Sequence, residues 1–201
     1  LTVLSNGHYV VASPDWANGT KAKAGAATWG NGNTGVSCAV SATNSLVGAE
    51  ANNQVASDGV TALSNGHYVV NSPLWDGAAA NVGAVTWGNG TAATADVVSA
   101  ANSLVGSQLD DQVGFSKGVK ALTNGNYVVA SSIWDNVGVV NAGAVTWGNG
   151  QVAGPRSVGE VSVTNSLVGS RTNDNVGVNG VTALSNGNYV VVSRWWNSSA
   201  A

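Results

Sequence analysis

Residues 63–70 read LSNGHYVV, and this stretch decides the fold. Its central Asn65-Gly66 pair separates two runs rich in β-branched and aromatic residues. Asn-Gly in that setting indicates a β-hairpin, because a type I′ turn needs a positive φ at both central residues. The stretch recurs along the chain, and its leucines at positions 4, 63, 122 and 184 are 59, 59 and 62 residues apart. The chain is therefore a tandem array whose copies each open with a hairpin.

Two further strand-like segments follow each hairpin. GAVTWGNG at residues 83–90 alternates small or polar with larger apolar side chains, which predicts a half-buried strand, and NSLVG at residues 102–106 predicts a fourth. No segment carries the helical period. We therefore predict an all-β chain of tandem four-stranded antiparallel units that resemble β-propeller blades. A β-trefoil-like arrangement and an open β-repeat array are the alternatives.

The period also predicts the unit boundaries and one loop. The units are 1–59, 60–118 and 119–180, with a partial fourth at 181–201, all within one repeat domain. The third unit is three residues longer than the others, and the extra length falls in the stretch Gln151 to Glu160. An insertion at this place predicts a surface loop. The unclosed strand count and the unpaired sheet edges predict a homo-oligomer or membership of a longer repeat array.

Charge and composition narrow the classes of function. Charged residues make up only 8% of the chain and the net charge is -3, so no basic stripe is present to bind nucleic acid. No apolar run is long enough to predict membrane insertion. A polar but nearly uncharged surface is typical of secreted β-proteins, and we expect an extracellular or cell-surface location. The single cysteine, Cys38, cannot form an internal disulfide and is expected to be a buried or half-buried free thiol.

Catalytic chemistry has little support in this sequence. No nucleophile elbow, zinc motif or phosphate-binding loop is present, so we predict neither an enzyme nor a metal or cofactor. Asp110 and Asp111 are the one adjacent pair of carboxylates and the one candidate for a loop-bound calcium ion. His8 and His67 occupy a hairpin position that Asn126 fills in the third copy, which indicates a role open to any polar side chain suited to a turn.

Tryptophan is the informative residue type, because the eight copies fall almost entirely into two repeated classes. Trp29, Trp87 and Trp147 end the third strand, and we predict that they pack between units with the indole N–H bonded to a partner. The second class follows the hairpin tyrosine by seven positions and lies in loops. A loop tryptophan beside Asp or Asn can stack on a sugar ring, whereas the alternative is that it fills the gap between units. The candidate carbohydrate-binding residues are Trp16, Trp75, Asp76, Trp134, Asp135 and Trp196.

The succession of LSNGNYVV, GAVTWGNG and NSLVG resembles a repeat of large bacterial surface and secreted proteins of the filamentous haemagglutinin and adhesin type. The resemblance covers essentially the whole chain. It implies a surface setting and a broad adhesive role, and it supplies no catalytic residues.

Two functions follow as expectations. The first is a carbohydrate-binding, lectin-like module that presents one weak site per unit to glycans of a cell surface or matrix, with avidity from repetition. The alternative is a purely structural spacer repeat of a large secreted or surface protein. The exposure of the loop tryptophans separates these two expectations.

Overall fold

The chain is built from strands and turns. The computed structural model describes residues 1–116, 118–154 and 156–197, and no helix occurs within these ranges. The strands of the first unit are β1 Thr2–Val3, β2 Tyr9–Ser13, β3 Ala26–Gly30 and β4 Ser45–Val47. Those of the second are β5 Val60–Ala62, β6 Tyr68–Ser72, β7 Ala84–Gly88, β8 Asp96–Val97 and β9 Ser103–Val105. The third unit contains β10 Val119–Ala121, β11 Tyr127–Ser131, β12 Ala144–Gly148, β13 Gly159–Glu160 and β14 Ser166–Val168. The partial fourth unit contains β15 Val181–Ala183 and β16 Tyr189–Val191.

Each complete unit is a four-stranded antiparallel meander, as the sequence predicts. The orders are β1-β2-β3-β4, β5-β6-β7-β9 and β10-β11-β12-β14. The pairings keep the same register from copy to copy, so that Trp29 lies opposite Val10 and Trp87 lies opposite Val69. The all-β prediction and the antiparallel four-stranded unit are confirmed.

The hairpin turns form at the predicted Asn-Gly pairs, but the predicted turn type is wrong. In the second unit only Gly66 has a positive φ, of 86°, while Asn65 does not. The amide of Gly66 bonds to the Leu63 carbonyl at 3.2 Å, and the Leu63 amide bonds to the His67 carbonyl at 2.8 Å. This is a three-residue loop with a left-handed glycine at its end, rather than a two-residue type I′ turn. The extra residue leaves the asparagine side chain free to reach the neighbouring unit.

A fifth short strand, which no pattern in the sequence predicts, joins consecutive units. Strand β8 of the second unit pairs in parallel with β4 of the first, and β13 of the third pairs in parallel with β9 of the second. The amide of Val98 continues the first pairing to the Val47 carbonyl at 3.0 Å. The second and third units therefore each cover the outer sheet edge of the unit before them, which removes an exposed edge.

The units are stacked in chain order through their first strands. Strand β5 packs between β1 and β10, and β10 packs between β5 and β15. The buried clusters combine neighbouring units: one contains Leu46 and Val55 of the first unit with Val70 and Val98 of the second. The sheets remain separate and form no closed barrel within the described residues.

Three local expectations need correction. Strand β7 is buried on both faces rather than half-buried, because the second unit has a neighbour on each side. Cys38 is exposed rather than buried or half-buried, because its segment pairs with no strand among the described residues. The stretch Gln151 to Glu160 begins as an exposed loop but ends in β13, and its Arg156 guanidinium lies 3.5 Å above the Trp87 ring. Pro155 of this stretch lies outside the described residues.

Candidate functional site

The loop tryptophans of the two inner copies lie between units rather than on the surface. Trp75 is 8% exposed and Trp134 is 4% exposed. Trp75 belongs to the same buried cluster as Leu46 and Val55 of the first unit. Trp134 shares a cluster with Leu104 of the second unit. Each loop tryptophan therefore packs against the preceding unit, and its ring offers little surface to a sugar.

The loop tryptophans at the two ends of the array are more accessible. Trp16 of the first unit is partly buried, and Trp196 of the partial fourth unit is 55% exposed. The six candidate carbohydrate-binding residues are therefore divided. Trp75 and Trp134 are enclosed at unit interfaces, while Trp16 and Trp196 keep ring surface open to solvent.

The candidate carboxylates hold the tryptophan loops in shape. One oxygen of Asp76 accepts a hydrogen bond from the Asn81 amide at 2.8 Å. Asp135 accepts the equivalent bond from the Asn141 amide at 2.6 Å. Each carboxylate closes its loop by an Asx-type contact, in which a side chain stands in for a backbone carbonyl. These carboxylate oxygens are therefore hydrogen-bonded to backbone amides of the loop that carries the buried tryptophan.

A buried acidic residue clamps each loop to the unit before it. Asp111 is fully buried, and one of its oxygens accepts hydrogen bonds from the Ser107 and Gln108 amides, both at 2.8 Å. The other oxygen accepts a bond from the Asp135 amide of the next unit at 2.9 Å. Burial raises the pKa of Asp111, although these three amides act in the opposite direction. The three hydrogen bonds stabilise the charged carboxylate, whereas its removal from water destabilises it.

The clamp recurs in the third unit and is incomplete in the first. Asp174 is also fully buried and bonds to the Asn197 amide of the fourth unit at 3.0 Å. In the first unit the position is Asn53, whose Nδ2 is buried without a hydrogen-bond partner among the described residues. An amide NH2 cannot accept the bond that a carboxylate accepts from the next loop. The sequence analysis named Asp111 only as half of an acidic pair and missed that the position recurs, although its residues all follow the Asn of the NSLVG segment by nine positions.

Two of the three strand tryptophans, Trp29 and Trp87, pack between units as predicted, whereas Trp147 does not. The indole N–H of Trp29 donates to the Gly90 carbonyl of the second unit at 3.0 Å. Trp87, which is 8% exposed, donates to the Gly150 carbonyl of the third unit at the same distance. The acceptor is in each case the last glycine of the TWGNG motif in the following unit. Trp147 is the third member of this class and is 43% exposed.

The hairpin loops are joined across units by a ladder of asparagines. Asn6 donates from Nδ2 to the carbonyls of Gly66 and Gly90 of the second unit, at 3.2 and 2.8 Å. Asn65 makes the equivalent pair of bonds to the third unit, and Asn124 bonds to Gly187 of the fourth. The asparagine of the hairpin signal therefore binds the next unit.

The hairpin histidines act as hydrogen-bond acceptors, and the predicted interchangeable role is confirmed. The Nδ1 atoms of His8 and His67 accept from the Gly32 and Gly90 amides, both at 3.1 Å. Asn126 accepts from the Gly150 amide through Oδ1 at the same distance. Burial, and then the positive charge of Arg156, lowers the pKa of His67, which favours the neutral ring that this bond requires.

The described residues contain no group of three or more metal-binding side chains. Both carboxylate oxygens of Asp111, the residue considered above for calcium, accept hydrogen bonds from backbone amides. Across residues 1–116, 118–154 and 156–197, no helix is long and apolar enough to cross a membrane.

The fold and the interfaces define a class of tandem all-β repeat proteins, in which a complete unit covers the sheet edge of the unit before it and packs on that unit's strand tryptophan. The chain belongs to the family described as a repeat of unknown function (DUF5650), whose model matches residues 3–57, 62–115, 121–178 and 183–201. No curated protein and no solved structure matches the chain.

Proposed function

We propose that this chain is a structural stacking module, a spacer whose repeated residues serve to join one unit to the next. The observation that supports the proposal best is the burial of Trp75 and Trp134, because these loop tryptophans were the strongest candidates for ligand contact. The asparagine ladder, the acidic clamp and the strand tryptophans all make their contacts across unit boundaries as well. Contacts between units thus account for the repeated side chains, and no ligand is needed to explain why they recur.

The setting that suits such a module is a large secreted or surface protein, and the resemblance to adhesin-type repeats supports this part of the proposal. A stack of this kind holds other domains at a fixed distance. Because each unit contacts mainly its neighbours, the free energy of unfolding is the sum of the stabilities of the single units and of the interfaces between them. The length of such a stack can therefore vary by whole units.

A stiff spacer is tested by its behaviour in solution. Small-angle scattering of the chain and of a version with the second unit, residues 60–118, duplicated in tandem should show the maximum dimension growing by one constant step per unit. A duplicated unit that leaves the maximum dimension unchanged, or that gives the scattering of a flexible coil, would overturn the spacer.

Carbohydrate binding remains the second proposal, and the surface of Trp16 and Trp196 favours it at the ends of the array. A glycan array with the purified chain is the test. If glycans bind and the Trp16→Ala, Trp196→Ala double variant loses that binding, the chain is a lectin and the purely structural account fails. A Trp195→Ala variant, also at an exposed tryptophan, is the matched control.

A further inference from the structure

Arg156 lies in the insertion of the third unit, and its guanidinium lies 3.5 Å above the ring of Trp87 in the second unit. The loop that carries it is anchored by two hydrogen bonds. The Ser157 hydroxyl donates to the Trp147 carbonyl at 2.8 Å, and the Val158 amide donates to the Arg156 carbonyl at 3.1 Å. The guanidinium is therefore held over the interface between the second and third units.

The positive charge of Arg156 has no counterion in the described chain. The ion pairs found among the described residues both lie in the first unit. The Nη1 atom of Arg156 is buried and has no hydrogen-bond partner among the described residues. Removal from water lowers the pKa of the guanidinium, while Tyr127 acts in the opposite direction. The charge is thus partly withdrawn from water without the carboxylate that usually compensates such a loss.

The contact between units does not explain this charge. Trp29 at the first interface donates the same hydrogen bond to the next unit as Trp87 does at the second. Residues 91–98 occupy the place of residues 151–161 at that first interface, and they contain no Lys or Arg. Units of this repeat therefore join without a guanidinium, so Arg156 serves a purpose other than joining them.

A cavity of about 390 Å³ opens beside the guanidinium, at a point where three units meet. Its lining combines apolar side chains from all three units with a few polar groups, among them Leu46, Trp87, Val158, Asp96, Asn102 and Arg156. A cavity of this size, with apolar walls and a small number of polar groups, is the usual form of a small-molecule site.

The polar groups of the cavity define the chemistry of a ligand. Arg156 and Asp96 carry opposite charges and form no ion pair with each other in the described chain. One oxygen of Asp96 accepts a hydrogen bond from the Val97 amide at 2.8 Å, and the other accepts one from the Asn102 side chain at 3.2 Å. Each of these oxygens keeps a second lone pair for a ligand donor. The cavity thus offers donors at one residue and acceptors at another.

We propose that this cavity binds a small carboxylate, held at the Arg156 guanidinium, whose neighbouring hydroxyl or ammonium group donates to Asp96. A planar guanidinium pairs with a carboxylate through two parallel hydrogen bonds, and the ligand supplies the counterion that the chain lacks. The negative charge of Asp96 disfavours a dianion such as phosphate. Hydroxy acids, acidic sugars and amino acids share the required chemistry. The inference goes beyond the proposed spacer function and does not depend on it.

Fluorine NMR of chain labelled with 5-fluorotryptophan measures binding at Trp87, with Trp29, which does not line the cavity, as an internal reference. Glycolate, glucuronate and glycine, added at constant ionic strength, should shift the Trp87 signal with dissociation constants of about a millimolar and leave Trp29 unchanged. Acetate lacks the second donor and phosphate carries the second charge, so both should bind about tenfold more weakly. The tightest of the three ligands identifies the source of the carboxylate.

Substitution of Arg156 tests its role. Arg156→Gln removes the charge and should weaken binding of every carboxylate by about tenfold or more. Arg156→Lys keeps the charge without the planar fork and should give an intermediate affinity. Arg194→Gln is the matched control, because the Arg194 guanidinium lies 4.6 Å from the Trp195 ring, outside the cavity. This variant should bind like the unaltered chain.

Substitution of Asp96 should change the preference among ligands. Asp96→Asn removes the negative charge while keeping an oxygen for the Val97 amide. It should strengthen the binding of acetate and phosphate and weaken that of glycine by about tenfold, since the ammonium loses its charged acceptor. An unchanged order of affinities would remove Asp96 from the site and overturn its part of the proposal.

Urea denaturation separates a lost site from a lost fold. Each variant should unfold cooperatively, and glucuronate should raise the midpoint of the unaltered chain and of Arg194→Gln but not that of Arg156→Gln. The proposal fails if no carboxylate shifts Trp87 at about 50 mM, where a millimolar site is nearly saturated. It fails equally if Arg156→Gln responds like the unaltered chain, or if phosphate binds more tightly than every carboxylate.

Discussion

Trp87 and Trp147 occupy the same position of the repeat in the same TWGNG sequence, yet one is almost fully buried and the other is nearly half exposed. The difference comes from the neighbour, because a complete unit follows Trp87 and only a hairpin follows Trp147. The burial of a side chain in this repeat therefore depends on the unit beside it as much as on its own strand. The inner interfaces and the open end can be compared residue by residue, and each comparison predicts a different cost of substitution.

The largest effect is expected at the loop tryptophans. Trp134→Ala should lower the free energy of unfolding by about 3–5 kcal/mol, because it empties a large buried site between the second and third units. Trp196→Ala removes the same side chain at the exposed end and should cost less than about 1 kcal/mol. Urea denaturation of both variants measures the difference. Equal costs would mean that Trp134 does not hold the interface.

A smaller effect is expected at the strand tryptophans. Trp87→Phe loses the hydrogen bond to the Gly150 carbonyl and part of the stacking with Arg156, so it should cost about 1–2 kcal/mol. Trp147→Phe has no complete following unit to lose contact with and should be close to neutral in the single chain. Thermal and urea denaturation of the pair provide the measurement, and a larger cost at Trp147 would contradict the comparison.

The acidic clamp offers a substitution that should stabilise the chain. Asn53→Asp gives the first unit the carboxylate that Asp111 supplies in the second, and it adds an acceptor for the Asp76 amide. We expect a gain of about 1 kcal/mol, limited by the desolvation that already raises the pKa of Asp111. The reverse change, Asp111→Asn, should lose a similar amount or more. Denaturation midpoints that move the other way in both variants would refute the clamp.

The smallest effect is a pH dependence that belongs to His67. Its pKa is lowered in the folded chain, so the unfolded chain takes up the proton first, and stability is lost as the pH falls through 6.5, the ordinary value. His67→Asn copies the side chain of Asn126, which makes the same bond without titrating. The variant should keep its stability at pH 7 and lose this part of the decline at lower pH. An unchanged acid profile would show that the decline has another source.

Much of the fold could be predicted from sequence, because its signals are local. The Asn-Gly pair, the alternation of the third strand and the fixed period gave four strands per unit and the inter-unit position of Trp29 and Trp87. The turn type was predicted wrongly because Asn-Gly also suits a three-residue loop with a left-handed glycine, and the dipeptide alone does not distinguish the two loops.

The remaining features depend on contacts between units that no local pattern reports. The parallel edge strand is only two residues long and pairs with another unit, so neither its length nor its alternation stands out. Trp75 and Trp134 are buried because of the direction in which the units stack. Predicting the strands of one unit does not predict that direction. The clamp at Asp111 and Asp174 was visible as an Asp or Asn at constant spacing, but its role as an acceptor for the next loop requires the stack itself.

The stacked arrangement requires that the inner tryptophans Trp75, Trp87 and Trp134 lie between units. Fluorine NMR of chain labelled with 5-fluorotryptophan, assigned by single Trp→Phe variants and titrated with a soluble gadolinium complex at a concentration where the chain is monomeric, measures this residue by residue. We expect strong broadening of the Trp147, Trp195 and Trp196 signals and little change at Trp75, Trp87 and Trp134. Broadening of Trp75 and Trp134 to the same extent as Trp196 would contradict the stacked arrangement and restore these loops as open binding sites.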